Sequence, residues 1–112
     1  MTRGEIWWAQ FGIPYGSEPG FTRPVLIVQD DDFNESKIKT VVVLPLTTNL
    51  RLQDAPGNVF LGKKKSNLAN DSVIMTAQLY AIDRSRFTEK ISKASGEIME
   101  QVDIGIKMVL GL

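Results

Sequence analysis

The chain has 112 residues, 43% hydrophobic and 23% charged, with thirteen Lys and Arg balanced by thirteen Asp and Glu. That is the profile of a soluble globular domain, read as one unit over residues 1–112, and it excludes a global positive field that would gather nucleic acid. Cysteine and histidine are both absent, so disulfides, thiolate metal sites, cysteine nucleophiles and the usual acid–base residue of neutral pH are excluded.

In chain order, "GEIWWAQF" (4–11) is short and aromatic-rich and predicts a first strand. A long loop follows, punctuated by Gly12, Pro14, Gly16, Pro19, Gly20 and Pro24. It exceeds what a tight hairpin needs, and loops of that length in small domains are disproportionately functional. "VLIVQ" (25–29) and "TVVVLPLTT" (40–48) are β-branched runs that predict strands buried on both faces. "DDDFNESK" between them reads as a turn or a single helical turn. "GNVFLG" (57–62) and "DSVIMTAQ" (71–78) predict two more strands, and "LYAID" extends the sheet. From Ser95 onward the period changes. Ile98, Val102, Ile106 and Val109 line one face of a helix, with Ser95 as N-cap and Gly111 as terminator. The expected fold is mainly β (α+β), a small barrel of five to six strands closed by a C-terminal amphipathic helix.

The amino terminus lacks the apolar run of a signal peptide, and no stretch approaches the roughly 20 apolar residues of a membrane span. A cytoplasmic location is the expectation, without membrane association.

Four groups of side chains carry possible chemistry. Asp30, Asp31 and Asp32 offer oxygens to a hard cation, but alternation sends Asp31 away from its neighbours, and aspartates after a strand are turn formers; no metal is expected. The basic run "GKKKSN" (62–67) reads either as a phosphate-holding patch or as a solvated surface. Thr47 and Thr48 put hydroxyls at a strand end, where turn bonding is the ordinary explanation. Arg23 directly precedes Pro24 and an apolar strand, with Ser17 and Glu18 in the loop before it. A surface ion pair between Arg23 and Glu18 is one reading, worth at most about 1 kcal/mol. An anion site is the other, since arginine suits planar recognition of phosphate.

The blocks "RGEIWWAQFG", "GSEPGFTRPVLIVQ", "VLPLTT" and "DSVIMTAQLYAIDRSRFTEK", in this order and followed by an amphipathic helix, resemble the MazF/PemK family of bacterial toxins, the mRNA interferases. The resemblance implies an SH3-like barrel, a homodimer, and cleavage of single-stranded RNA at short sequences without metal or other cofactor. It implies catalysis by Arg23 and Thr47, with Glu18 as a further participant, and inhibition by a cognate antitoxin whose acidic tail folds into the active groove. It also places Gln78 near the RNA channel.

The composition suits that chemistry. Attack by an RNA 2′-hydroxyl on the adjacent phosphate needs a base, an acid and positive charge on the phosphorane, but no external nucleophile. Arg23 is the electrostatic stabiliser, Thr47 a donor to a non-bridging oxygen, and Glu18 the carboxylate suited to act as base once the loop closes. The products are then a 2′,3′-cyclic phosphate and a 5′-hydroxyl. Ser17, Tyr15, Phe21, Thr48, Asn49 and Gln78 are the candidates for holding splayed nucleotides by stacking and edge hydrogen bonds. The competing readings are a barrel that binds RNA or a partner without cutting, and a CcdB-like gyrase poison acting through its terminal helix.

Overall fold

A computed structural model describes residues 1–13, 15–17 and 21–112. The strands are β1 (Glu5–Gln10), β2 (Thr22–Ile27), β3 (Thr40–Thr47), β4 (Val59–Leu61), β5 (Ser72–Ile74), β6 (Tyr80–Asp83) and β7 (Phe87–Lys93). The helices are α1 (Asp31–Asn34), α2 (Lys63–Ser66) and α3 (Gly96–Leu110), with 3-10 segments at Leu50–Asp54 and Arg84–Arg86.

All seven strands join one antiparallel sheet in the order β4-β5-β3-β2-β1-β7, with β6 also on β3. β3 is its axis. The first half of β3 pairs with β6 and its last residues pair with β5 along the same edge, while β2 takes the other edge. The sheet therefore curls into a half-barrel, the small barrel with a terminal helix that the sequence predicts.

Side-chain alternation divides the interior into two. Leu26, Leu44 and Leu46 face one way, onto Ile6, Ile74 and the Ile98 and Val102 positions of α3. Val25, Ile27, Val41 and Val43 face the other, with Ala9 and Ile82. β2 and β3 are thus buried on both faces, as their continuous apolar runs require.

α3 begins and ends where the sequence says. Ser95 Oγ accepts from the Ile98 N–H at 3.2 Å, and Gly111 closes the helix at φ 72°. Its contact with the barrel depends on two glycines. Gly57, at φ 86°, brings its carbonyl so close to Gly105 that a Cβ on Gly105 would overlap it. Val109, in contrast, is 38% exposed, so the last turn of the predicted apolar face leaves the core.

Three boundaries differ from expectation. β2 starts at Thr22, three residues before the apolar run, which places Arg23 inside the strand rather than in the loop. β5 stops at Ile74, because Met75–Gln78 turn the chain from one half of β3 to the other: Met75 N–H donates to Pro45 O at 3.0 Å and Gln78 N–H to Met75 O at 3.2 Å. β7, the additional strand, is not apparent in "FTEKISK". It pairs on only one side, with β1, so it needs little apolar surface and shows no clean alternation.

Candidate active site

β1 and β2 pair Ala9 with Arg23, and β2 and β3 pair Val25 with Pro45, Leu26 with Leu44 and Ile27 with Val43. That pairing ends at Val25 and Pro45; by alternation along the two strands, Arg23 and Thr47 lie on the face of Val25 and Pro45, although they are far apart in sequence. Val25 and Pro45, as paired residues, share a face, so both side chains emerge on the face of Val25 and Val43. The fully buried Ala9, whose side chain is a single methyl, lies on the other flank of Arg23 and leaves room beside the guanidinium.

The electrostatics of the pair are unusual for this molecule. Among the described residues, Arg23 Nε is the one buried side-chain nitrogen or oxygen without a hydrogen-bond partner. An unsatisfied buried donor costs about 1–3 kcal/mol, more when charged. Thr47 is half-buried, and its Oγ accepts from the Asn49 N–H at 3.2 Å. That bond occupies an acceptor position and leaves the hydroxyl proton to donate elsewhere. A cationic N–H and a hydroxyl donor on one face at a strand end make a site for a tetrahedral oxyanion.

The remaining predicted residues are placed unevenly. Tyr15, Ser17 and Phe21 belong to the β1–β2 connection and are exposed, Tyr15 at 83% and Phe21 at 66%. Phe21 has φ 59°, a left-handed backbone unusual for a bulky residue. Its N–H donates to Gly12 O and its carbonyl accepts from the Phe11 N–H, which closes the base of the connection next to Arg23. Glu18 lies outside the described residues. Thr48 is exposed at the end of β3 and, by alternation, points to the opposite side of the sheet from Thr47. Asn49 acts locally, where its Oδ1 accepts from the Arg51 N–H at 3.3 Å and caps the 3-10 segment. Gln78 ends the turn that crosses beside Pro45, two positions along β3 from Thr47, and is half-buried.

Asp30 and Asp31 act as turn formers. Asp30 Oδ2 accepts from the Asp32 N–H at 2.9 Å, and Asp31 Oδ1 accepts from the Arg3 N–H at 2.7 Å and from Asn34. Sequence reasoning passes over Glu5, a carboxylate only 8% exposed. Burial pushes its pKa up, but the Trp7 indole N–H at 2.9 Å, the Thr2 hydroxyl at 2.8 Å and Lys90 at 3.4 Å together hold it at about 2. It is a saturated structural acceptor away from the Arg23–Thr47 row. Its only sequence signal is a charge within an aromatic strand.

Comparison with known proteins bears on the whole chain. Residues 2–110 match the family described as PemK-like, MazF-like toxin of type II toxin–antitoxin system. Endoribonuclease MazF6 of Mycobacterium tuberculosis and endoribonuclease MazF2 of Mycobacterium bovis are each 37% identical over 112 residues, covering 100% of this chain and 98% of the relative. The fold superposes on MazF from Deinococcus radiodurans with a TM-score of 0.82 at 24% identity, covering 100% of this chain and 97% of that one. It also superposes on a mycobacterial endoribonuclease solved in complex with its cognate antitoxin, with a TM-score of 0.80 at 20% identity, covering 100% and 96%.

Proposed function

Because the chain belongs to the PemK-like, MazF-like toxin family of type II toxin–antitoxin systems, we propose that it is an endoribonuclease that cleaves single-stranded RNA at a short sequence without a metal ion. The observation that carries this reading is the Arg23 guanidinium, whose buried Nε has no partner among the described residues, on the same sheet face as Thr47 of the neighbouring strand.

The scissile phosphate binds against Arg23. As the RNA 2′-oxygen attacks phosphorus, negative charge accumulates on the non-bridging oxygens, and Arg23 meets it with a charge already in place. Thr47 hydrogen-bonds one of those oxygens through its hydroxyl. Glu18, carried by the β1–β2 connection, takes the 2′-hydroxyl proton. The P–O5′ bond breaks, the leaving 5′-oxygen takes a proton from water, and the products are a 2′,3′-cyclic phosphate and a 5′-hydroxyl. Arginine stays protonated at any ordinary pH, which suits it to charge stabilisation rather than to shuttling a proton. Tyr15 and Phe21 present exposed rings for bases, and Ser17, Thr48, Asn49 and Gln78 present polar groups around the same strand ends.

The active form is a homodimer, and the cognate antitoxin silences it by placing an acidic, disordered segment over the same site. The cytoplasm, where mRNA is the substrate, is the compartment this activity requires. Incubating the protein with a long single-stranded RNA in EDTA, beside Arg23→Ala, tests the reading. Cuts at one short sequence with 5′-hydroxyl ends, reduced about 10²–10³-fold in the variant, are expected. Undiminished cutting in the variant would remove Arg23 from the mechanism. No cutting of any RNA would favour a barrel that binds without cleaving.

A further inference from the structure

Three clefts in the surface share their walls. A small one of about 120 Å³ lies between Trp8, Pro24, Thr48 and Asn70. Thr48 and Asn70 pass into a second, of about 410 Å³, completed by Lys63 and Asp71. Lys63 and Asp71 in turn wall a third, of about 630 Å³, which also holds Lys64, Lys65 and Phe60. Together they form one furrow that starts beside the strand ends bearing Arg23 and Thr47 and runs out along α2.

Its chemistry is that of a single-stranded nucleic-acid track. Three exposed lysines in succession stand against one carboxylate, in a chain whose net charge is zero. The positive charge is therefore local and lies where the furrow is widest. Phe60 is 39% exposed at the same end, a ring on which a base can stack beside a phosphate held by lysine. Asp71 is positioned rather than loose, since its Oδ1 accepts from the Lys63 backbone N–H at 2.9 Å. A carboxylate fixed where the second and third clefts meet suits an exocyclic amino group of a base better than it suits a phosphate.

Trp8 and Pro24 are register partners across β1 and β2, and Pro24 is bonded in sequence to Arg23. Thr47 and Thr48 are likewise neighbours that face opposite sides of the sheet. A strand seated at Arg23 and Thr47 thus reaches the furrow by passing the end of β3 at Thr48. We infer that this furrow is an extended subsite for the substrate, which holds RNA beyond the cleaved sequence through Lys63, Lys64 and Lys65 and selects a base bearing an amino group at Asp71. The inference rests on the ribonuclease reading and adds to it a surface that governs affinity and context rather than bond breaking.

The test compares two RNAs, one limited to the cleavage sequence and one extended on both sides by about eight nucleotides, the scale of a single-strand binding groove. The wild-type protein cleaves the longer RNA with a KM lower by about tenfold or more. The variant K63E/K64E/K65E loses that advantage, with kcat and cleavage of the short RNA within about twofold of wild type. The charge-neutral K63Q/K64Q/K65Q loses part of it. The salt dependence of kcat/KM on the long RNA falls in slope by about 0.7 for each phosphate contact removed. Asp71→Asn changes the preferred flanking base without changing the scissile position.

A wild-type protein that cuts both RNAs equally well overturns the furrow and leaves the ribonuclease intact. A lysine variant that keeps the length advantage, or loses activity equally on both RNAs, also overturns it. If the variant retains all RNA kinetics but loses inhibition by an acidic antitoxin peptide, the furrow belongs to the protein partner instead. A wild-type protein that cuts neither RNA refutes the ribonuclease reading and this inference with it.

Discussion

Two arginines, each near the end of a strand, have opposite surroundings. Arg3 precedes β1 and ties three elements together: its Nε donates to Val28 O just past β2 at 2.9 Å, its Nη2 meets Asp103 of α3 at 2.5 Å, and its backbone N–H reaches Asp31, the first residue of α1. Arg23 sits in β2 with Ala9 on one flank and Thr47 on the same face of the strand on the other side, and its Nε meets no acceptor among the described residues. The same side chain is held by partners in the first place and keeps an unpartnered Nε among the described residues in the second. What separates them is whether a carboxylate or carbonyl already occupies the hydrogen-bonding edge. An orphaned cationic donor among otherwise well-satisfied described residues costs stability, and in the proposed mechanism substrate binding relieves that cost.

The contrast yields an ordered set of expectations. The largest effect belongs to Arg23→Ala. Cleavage falls by about 10²–10³-fold, while the urea midpoint stays near the wild-type value, because Arg23 Nε gives up no hydrogen bond among the described residues and the loss of a buried unsatisfied donor offsets lost packing. A marked fall in stability would show that Arg23 is held by partners after all. Thr47→Val comes next, with kcat lower by about 10–100-fold through loss of one donor. KM for the long RNA should change much less, and a loss confined to KM would make Thr47 a binding residue only.

Arg3→Ala should invert the pattern. Activity per folded molecule is retained, and stability drops by about 1–2 kcal/mol, since Asp103 and the Val28 carbonyl lose their donor. Both side chains of that ion pair are partly exposed, at 30% and 44%, which keeps the value modest. Equal losses of activity and stability in both arginine variants would erase the distinction.

The smallest effect is set by pH. Glu5 has its pKa held at about 2 against an ordinary 4.5. A depressed carboxylate stabilises the fold above its unfolded value and loses that contribution as pH falls through the folded one. Stability should therefore decline as the pH drops from about 4.5 toward about 2, and less steeply in Glu5→Gln. Parallel curves for the two proteins would remove Glu5 as the source.

Particular residues show how far the sequence could be read. "VVVLPL" identified β3 because β-branched residues without polar interruption fit only a strand buried on both sides. Ser95 and Gly111 marked α3 to the residue because capping is local: one side chain meets a backbone N–H three residues on, and one glycine adopts positive φ. β7 stayed hidden because an edge strand obeys pairing rather than hydrophobic pattern. The end of β5 stayed hidden because Met75 and Thr76 look as apolar and β-prone as Val73, yet the chain must turn there to cross β3.

For the site, the residue types and their nearest neighbours were available from the chain alone: an arginine before proline, a threonine pair after a strand, three lysines in a row, no histidine or cysteine. Those facts narrowed any chemistry to charged and hydroxyl side chains and left a surface ion pair and an anion site at Arg23 both open. The pairing of β2 with β3 decided that Arg23 and Thr47 share a sheet face on neighbouring strands. Burial decided that Arg23 Nε has no acceptor among the described residues, and the crossing of the chain past Pro24, Thr48 and Asn70 joined the lysines to the same strand ends. Sequence determines what lies within a few bonds, because caps, turns and alternation are local. Contact between residues far apart along the chain depends on how the whole sheet curls, and only the assembled structure sets that.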